Sequence, residues 1–282
     1  WPMTIAMTPD REPFFGGTYF PPRDGVRGSR KGFLTILGEL KTQYDTDRPG
    51  VVAKAKQLSQ RIAQQAAAQP AAGVPNHAPL AGTAGRFKQM HDAVNGGFGR
   101  QPKFPRPVTL DFLLRYHRRT GDKPVLDAVL KTLDKMAGGG MHDQIGGGFH
   151  RYSVDSRWLV PHFEKMLYDN AQLTRTYLDA YQITDNAEYA RVARMTLDYV
   201  IREMVDPTGA FWSATDADSE GHEGLFFIWT KAELEQHLGP ALAPTAIQYW
   251  GVTDRGNFEH KNILNVPVPH DLIATRLGIS PT

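Results

Sequence analysis

Apolar positions in the first 65 residues predict a β-hairpin followed by two helices. Residues 3–7 form an extended apolar run, residues 8–10 have the composition of a turn, and residues 13–20 predict the return strand. Apolar side chains then recur at helical spacing over residues 33–44, and a second helix is predicted over residues 51–65. We therefore assign residues 1–65 to one structural unit.

A different pattern begins after residue 65. Residues 66–85 are rich in alanine, proline, glycine and glutamine, contain almost no large side chains, and predict a linker. Residues 86–282 form a second unit, in which helices are predicted over residues 86–94, from Pro107, over 126–136, over 161–181 and from the capping-box-like pair Asp185 and Glu188. Paired antiparallel helices with long loops favour a mainly α fold, a partial (α/α) toroid of helical hairpins, although an ordinary helical bundle has the same pattern.

Composition and charge exclude several classes of protein. The 282 residues are 41% hydrophobic, which is enough to bury a sizeable core, and their formal net charge is only +2. So balanced a charge gives no reason to expect a nucleic acid or an anionic membrane as a partner. No run approaches the roughly 18 apolar residues that cross a bilayer, and no signal-peptide pattern is present.

Cysteine is absent from the chain. Disulfides, thiolate nucleophiles and cysteine-ligated metals are therefore excluded within these residues, and a cytoplasmic location is only the default expectation. Motifs for a phosphate-binding loop, a dinucleotide and a zinc peptidase are also missing. The acidic run that starts at Asp216 resembles the start of a calcium loop, but Phe227 stands where the bidentate glutamate would be. No cofactor or metal is expected.

Residues 138–170 are the strongest candidate for a functional site. They include two glycine triplets, three histidines, several carboxylates and five aromatic residues. Long structured insertions between helices are uncommon and are often functional. Aromatic rings can stack on the apolar faces of a sugar while polar side chains bind its edges. The segment therefore predicts one wall of a ligand pocket.

His150 and His162 are candidates for an acid and a base, because histidine is suited to proton transfer near neutral pH. In the predicted helix that begins at residue 161, His162, Lys165 and Asp169 share one polar stripe. Lys165 would stabilise a developing oxyanion. The structural alternative is that the histidines bind backbone groups and that Lys165 and Asp169 form an exposed ion pair.

A second acidic run is predicted to complete the site. Asp216 and Asp218 would supply an acid or a base opposite the histidines, as paired carboxyl groups do in glycosidases. The structural alternative is that these aspartates accept hydrogen bonds from loop amides. Further side chains are predicted to contact the substrate: Phe149, Arg151, Tyr152, Trp158, Glu164, Tyr168, Glu220 and Glu223.

Several long motifs carry a family resemblance. They are WPMTIAMTPDREPFFGGTYFPP at residues 1–22, GGFGRQPKFP at 96–105, all of residues 143–173, FWSATDADSEGHEGLFFIWT at 211–230 and GNFEHKNIL at 256–264. In sequence and order they resemble the thioredoxin-domain-containing family of spermatogenesis-associated protein 20. The resemblance implies the C-terminal part of a thioredoxin-like α/β domain, followed by an α/α toroid similar to those of N-acylglucosamine 2-epimerases and six-hairpin glycosidases.

The chain departs from the family pattern in ways that affect function. The CHWC-type motif that the family carries before the WP segment is absent, and about three helical hairpins are predicted rather than six. We therefore expect a companion segment or a second copy of the chain to cover exposed apolar edges. Met141-His142 and His260 stand where the family usually has other residues, which makes both histidines poor candidates for a shared mechanism.

Two hypotheses of function follow. In the first, the toroid binds or modifies a small sugar, as a relative of epimerases, isomerases or glycosidases. In the second, it is a non-catalytic or redox-linked interaction module whose active thioredoxin-like half lies outside these residues. The first hypothesis requires that the histidines and the acids near residue 217 face one common hollow.

Overall fold

The structure is a computed structural model that describes residues 3–26, 29–67, 76–268, 270–278 and 280. The chain divides into two compact units, Trp1–Pro75 and Asn76–Thr282. Within the predicted linker, residues 68–75 lie outside the described part of the chain.

The first unit contains the predicted hairpin and helices. Strands β1 (Thr4–Met7) and β2 (Pro13–Gly17) pair antiparallel, and helices α1 (Phe33–Thr46) and α2 (Arg48–Ala66) follow. A single residue, Asp47, separates the two helices and caps the second, because its carboxylate accepts a 3.0 Å hydrogen bond from the Gly50 N–H. Helix α2 packs against β2, so the hairpin and the helices form one small α/β layer.

Helices dominate the second unit. They are α3 (Ala78–Met90), α4 (Pro107–Thr120), α5 (Lys123–Gly138), α6 (Leu167–Thr184), α7 (Ala187–Glu203), α8 (Lys231–Tyr249) and α9 (His270–Leu277). Helices α4 and α5 form one antiparallel hairpin, α6 and α7 form another, and α4 also packs against α6. This stacking of hairpins confirms the predicted mainly α fold class. None of the described helices is long and apolar enough to cross a membrane.

Short strands organise the loops between these helices. Each has two residues: β3 (Tyr152–Ser153), β4 (Pro161–His162), β5 (Lys165–Met166), β6 (Ala214–Thr215), β7 (Asp218–Ser219), β8 (His222–Glu223), β9 (Ile228–Trp229) and β10 (Asn262–Ile263). The pairs are β3 with β4, β5 with β6, β7 with β8, and β9 with β10, all antiparallel. The pairing of β5 with β6 connects the segment before α6 to the segment after α7.

Several predicted boundaries differ from the structure. The helix predicted over residues 161–181 begins only at Leu167, because strand partners take the backbone hydrogen bonds of the residues before it. The expected helical stripe of His162, Lys165 and Asp169 is therefore wrong. Helix α3 starts inside the predicted linker, at Ala78. The cap of α7 is Asn186, whose side chain accepts a hydrogen bond from the Glu188 N–H.

The main core lies between helices α3 to α7. Its fully buried side chains include Leu110 and Leu113 from α4, Leu133 and Met136 from α5, and Leu173 and Tyr177 from α6. Two aromatic side chains from the loop between α5 and α6, Phe149 and Trp158, join the same core. That loop is therefore held in place by packing, and its polar residues are fixed with it.

Gly147 is one position where the loop requires glycine. Its φ is +77°, and a Cβ atom there would clash with the backbone carbonyl of Met195 in α7. Gly82 provides a matched contrast, since it lies inside α3 with open space where a Cβ would stand.

We expect Gly147→Ala to lower the free energy of unfolding of the second unit by about 2 kcal/mol or more, because the left-handed backbone and the clash both oppose a side chain. Gly82→Ala should raise it by about 0.5–1 kcal/mol, since alanine favours a helix interior. Urea unfolding followed by circular dichroism measures both values. Equal effects of the two substitutions would contradict the loop geometry.

Candidate functional site

A cavity of about 760 Å³ lies within the second unit. Its walls come from the loop between α5 and α6, mainly residues 140–150, from the C-terminal turn of α7, the segment from residue 215 to 229, the first turns of α8 and residues 261–264. The volume is in the range of small-molecule binding sites, roughly 300–1,000 Å³. Loops form more of the wall than helices, so the hollow is not the helix-lined space that a toroid alone predicts.

Aromatic and charged side chains line the cavity together. The aromatic ones are Phe163, Tyr199, Phe226, Phe227 and Trp229. The acidic ones are Asp143, Glu203, Asp216, Glu220 and Glu233, and the basic ones are Lys165, Arg202 and Lys261. Three imidazoles complete the set: His142, His150 and His237. Such a wall can stack on the apolar face of a ligand and bind its polar edge.

A buried ion pair lies at the centre of this wall. The side chain of Lys165 is 1% exposed, and its Nζ donates hydrogen bonds of 2.8 Å to Asp143 Oδ2 and 2.9 Å to the carbonyl of Gly147. The ammonium also lies 4.2 Å from the ring centroid of Tyr199 and 4.8 Å from that of Phe227. Charge-assisted hydrogen bonds and two ring faces thus replace the water that a lysine normally binds.

Burial and the ion pair act in opposite directions on the two pKa values. Burial lowers the pKa of Lys165, although the carboxylate of Asp143 works against that effect. For Asp143, burial would raise the pKa, but the Lys165 ammonium and the hydrogen bonds it receives outweigh burial and lower it. The carboxyl group of Asp143 is therefore ionised at neutral pH.

His150 is held next to this pair as a neutral imidazole. Burial lowers its pKa, and the nearby Lys165 ammonium lowers it further. Its Nδ1 lies 2.9 Å from the carbonyl oxygen of Phe163, which can only accept, so Nδ1 carries the proton and donates it. The other nitrogen, Nε2, keeps its lone pair. This lone pair can accept a hydrogen bond or a proton, although the lowered pKa makes the imidazole a weaker base than a free histidine.

Asn170 and Asp143 explain why the loop places His150 there. The amide of Asn170 accepts a 2.6 Å hydrogen bond from the Phe149 N–H and donates a 3.1 Å bond to the Phe149 carbonyl. Asp143 closes the glycine turn by accepting from the N–H groups of Ile145 and Gly146. Both residues fix the backbone on either side of the glycine triplet, so the neighbouring imidazole has one position.

Four of the predicted site residues share the cavity: His150, Lys165, Asp216 and Glu220. The hollow expected between the histidines and the acidic run thus contains one histidine and one aspartate from the predicted set. His162 and Asp218 are not among the lining residues. Asp218 is exposed, and its pairing with Glu223 in a two-residue hairpin places it at the surface.

Most of the other predicted residues form a second group, which we call the Arg151 cluster. Its members are Phe104, Arg151, Tyr152, His162, Glu164, Tyr168, Asp169 and Glu223. The guanidinium of Arg151 lies between the rings of Phe104 and Tyr168, 5.1 and 5.3 Å from their centroids. Successive side chains of an extended chain point to opposite sides, which explains why Arg151 belongs to this cluster and its neighbour His150 to the cavity.

An ion pair, a histidine–carboxylate contact and a ring stack hold the Arg151 cluster together. Nη1 of Arg151 donates a 2.9 Å hydrogen bond to Asp169 Oδ2, and Nδ1 of His162 lies 2.6 Å from Glu223 Oε1. Tyr152 stacks on the ring of His162 at 5.1 Å. Burial raises the pKa of Asp169 to about 6, and the Arg151 guanidinium offsets only part of that effect.

Phe149 and Trp158 neither line the cavity nor belong to the Arg151 cluster. Both side chains are fully buried in the core, where Phe149 stacks on Tyr177 and the indole N–H of Trp158 donates a 2.9 Å hydrogen bond to the Asn95 carbonyl. Their predicted role as substrate contacts is therefore not supported. The loop between α5 and α6 folds back onto the helices, so these two rings enter the core. Spacing along the sequence does not show in which direction a loop side chain points.

Sequence reasoning missed several residues of the cavity. Asp143, the partner of Lys165, was not assigned a role, and His142 was set aside. Tyr199 and Arg202 come from the last turn of α7, far from any motif of the predicted site. The aromatic run at Phe226, Phe227 and Trp229 was the available signal, since it directly follows the acidic run. Among the described residues, no group of three or more histidine or carboxylate side chains could hold a metal ion.

We expect Lys165→Met to lower the free energy of unfolding by about 3–5 kcal/mol, because it leaves the carboxylate of Asp143 buried without a cation. The double variant Lys165→Met with Asp143→Asn should recover part of that loss. Lys231→Met is the control, since it removes an exposed pair with Asp254 and should cost less than about 1 kcal/mol. Chemical unfolding measures all three. A loss at Lys165 no larger than at Lys231 would contradict the buried pair.

Titration of Asp169 gives a second prediction. Its folded pKa of about 6 lies above the unfolded value, so its protonated form stabilises the fold, and that stability is lost as the pH rises through about 6. In ¹³C NMR spectra the Asp169 carboxyl should titrate near pH 6. Asp169→Asn should remove this part of the decrease in stability between about pH 4 and 7. A carboxyl that titrates near 4 would contradict the assigned burial.

Comparison with known proteins supplies relatives over nearly the whole chain. Residues 1–63 match the family model Thioredox_DsbH, described as a protein of unknown function, DUF255. Human spermatogenesis-associated protein 20 is 37% identical, over 99% of this chain and 39% of the human protein. The mouse protein of the same name is 36% identical with the same coverage, and an uncharacterised Caenorhabditis elegans protein is 36% identical over 99% of this chain and 42% of its own length.

Solved structures match this chain only in part and with low TM-scores. Cellobiose 2-epimerase from Spirochaeta thermophila superposes with a TM-score of 0.43 at 17% identity, over 51% of this chain and 42% of that one. A D-mannose isomerase gives a TM-score of 0.39 at 17% identity, over 67% and 48%. The chain spans about two fifths of the length of its sequence relatives. Over that segment it is similar to the family of spermatogenesis-associated protein 20, which confirms the resemblance that its motifs predict.

Proposed function

We propose that the cavity binds a small polyhydroxylated molecule, a sugar in the first instance, and transfers a proton on it. One observation carries the proposal: the neutral imidazole of His150 lies beside the buried Lys165–Asp143 pair in a cavity of suitable volume. The aromatic rings of the wall fit the apolar faces of a sugar ring. The polar groups around them fit its hydroxyl groups.

The proposed step is proton abstraction from the carbon next to the carbonyl of an open-chain sugar. Nε2 of His150 takes the proton, and the electron pair of the broken C–H bond moves into an enediolate. The ammonium of Lys165, which lines the cavity, stabilises the negative oxygen through its positive charge. Return of the proton to the same carbon from the opposite face gives an epimer, and return to the neighbouring carbon gives an isomer.

Asp216 and Glu220 complete the proposed site from the other wall. For epimerisation, a carboxyl group of Asp216 or Glu220 donates its own proton to the face that His150 does not reach, and exchange with water then removes the proton from His150 and restores the carboxyl group. Two carboxyl groups in one cavity also fit a glycosidase, which requires them at a defined separation across the scissile bond. The neutral histidine beside a lysine ammonium favours proton transfer next to a carbonyl as the first candidate.

Ligand binding without catalysis is the second candidate. The match of residues 1–63 to a family of unknown function names no activity, and these 282 residues contain no cysteine for thiol–disulfide exchange. A redox role would therefore depend on residues outside this sequence, with the cavity serving as a binding module.

We expect the chain to bind at least one unmodified reducing sugar from a panel of hexoses and disaccharides, and to exchange its C2 proton in D2O. Calorimetry measures the binding and ¹H NMR measures the exchange. His150→Gln should slow the exchange by about 100-fold or more, because glutamine cannot act as a base. His117→Gln is the matched control, because His117 does not line the cavity, and it should leave the rate unchanged.

Each other outcome has a separate meaning. Binding without exchange would favour the binding module over the enzyme. Loss of exchange in His162→Gln but not in His150→Gln would move the reaction to the Arg151 cluster. Absence of both binding and exchange on the whole panel would reject the proposed function.

A further inference from the structure

The turn that carries His150 occurs twice in the chain. Residues 90–99 have the sequence MHDAVNGGFG and residues 141–150 have the sequence MHDQIGGGFH, so methionine, histidine, aspartate, a glycine pair and phenylalanine recur at identical spacing. The first copy lies at the C-terminal end of α3 and the second lies just after α5. Two copies of one local sequence at the ends of two helices predict one shared backbone geometry.

The backbone hydrogen bonds of the two copies are the same. In each copy the aspartate N–H donates a 3.0 Å bond to the carbonyl of the second shared glycine, and the aspartate carboxylate accepts from two N–H groups of the turn. The last N–H of each turn donates to the methionine carbonyl, at 3.0 Å in the first copy and 2.9 Å in the second. The two segments therefore form one repeated structural module.

A buried lysine closes both copies. The side chain of Lys103 is 1% exposed, and its Nζ donates hydrogen bonds of 2.7 Å to Asp92 Oδ2 and 2.7 Å to the Gly96 carbonyl. Lys165 binds the same two acceptors of the second copy, the aspartate and the carbonyl of the first shared glycine. The lysine follows its aspartate by 11 residues in the first copy and by 22 in the second. Tertiary packing therefore brings each ammonium to its turn.

The two copies differ at the position that carries the imidazole. Gly99 of the first copy stands where the second has His150, and only His150 of these two lines the cavity. Neither Lys103 nor Asp92 lines it. The ion pair of the first copy thus has a structural role that does not depend on the cavity.

The first copy also holds the loop that follows the second. The backbone of Lys103 exchanges hydrogen bonds of 2.8 and 2.9 Å with that of Ser153. The indole N–H of Trp158 donates a 2.9 Å bond to the Asn95 carbonyl, and a Cβ atom on Gly97 would stand 2.6 Å from the indole ring. The Lys103 ammonium lies 5.8 Å from the centroid of that ring. The first turn therefore anchors this loop at two points.

We propose that Lys103 and Asp92 are positioning residues for the site around His150. Their ion pair fixes the first turn, and the first turn anchors residues 153–158, the segment that joins His150 to Lys165. Loss of the pair releases that anchor and changes how the imidazole and the ammonium face each other. The catalytic part of this inference rests on the proposed function, whereas its geometric part concerns the chain without a ligand.

Histidine ¹⁵N NMR tests the geometric part. Lys103→Met removes the ammonium of the first copy, and we expect the ring ¹⁵N shifts of His150 to move, because its hydrogen bond to the Phe163 carbonyl changes with the loop. Lys88→Met is the matched control. It removes an accessible ion pair with Asp122 near the end of α3 and should leave those shifts unchanged.

Two further variants keep the test decisive if Lys103→Met folds poorly. Trp158→Phe keeps a buried ring but loses the indole hydrogen bond to the Asn95 carbonyl, and it should move the His150 shifts as well. Lys103→Arg keeps a cation beside Asp92 and should restore part of the original spectrum.

Kinetics test the catalytic part. With a sugar that reacts, Lys103→Met should lower kcat about tenfold or more and change KM little, because a misplaced catalytic group acts mainly on the transition state. Unmoved His150 shifts in folded Lys103→Met and in Trp158→Phe would overturn the inference and leave the proposed function intact. Moved shifts with an unchanged kcat would also overturn it. If no sugar reacts, the proposed function fails, and the shifts alone decide the inference.

Discussion

The candidate site depends on one buried ion pair, that of Lys165 and Asp143. A lysine can remain charged away from water only where strong hydrogen bonds and nearby rings replace its hydration. Asp143 supplies one such bond, the Gly147 carbonyl supplies another, and the rings of Tyr199 and Phe227 cover the rest. The pair thus joins the glycine turn, strand β5, helix α7 and the aromatic run into one wall. Each of these elements contributes one group that contacts the ammonium.

Side chains of the motif at residues 143–173 lie in three different environments. Phe149 and Trp158 enter the core, His150 and Lys165 face the cavity, and Arg151 belongs to the outer cluster. The alternation of side chains along an extended chain is the physical cause. Sequence similarity to relatives across this motif therefore combines residues of the core, of the cavity and of the outer cluster. It does not by itself indicate which of the two polar groups binds a ligand.

Polar groups in the cavity are arranged at a cost to stability. Burial depresses the pKa values of His142, His150 and Lys165, and a core built only for stability would hold apolar side chains in their place. Retention of several ionisable groups around one hollow is typical of functional sites. The cavity thus differs from the main core between α3 and α7, which is built around buried apolar side chains such as Leu110, Leu133 and Leu173.

The amino-acid sequence alone determined the larger features. Helical periodicity, caps and glycines predicted the hairpin at the N-terminus, the helices of both units and the mainly α fold class, because these depend on local spacing. The same motifs identified the segment that contains the site. Local spacing failed at residues 161–166, where strand pairing overruled a helical pattern: His162 pairs with the nearby Tyr152, and Lys165 pairs with the distant Thr215.

Only the tertiary structure decided which polar residues share a hollow. It brought Asp143, Lys165, Tyr199 and Asp216 together from four separate stretches of chain, and it placed His150 and His162 in different groups. The pairing of a buried charge and the side to which a loop residue points depend on contacts between distant segments. Those contacts form only when the helices pack, so they could not be predicted from the spacing of residues along the chain.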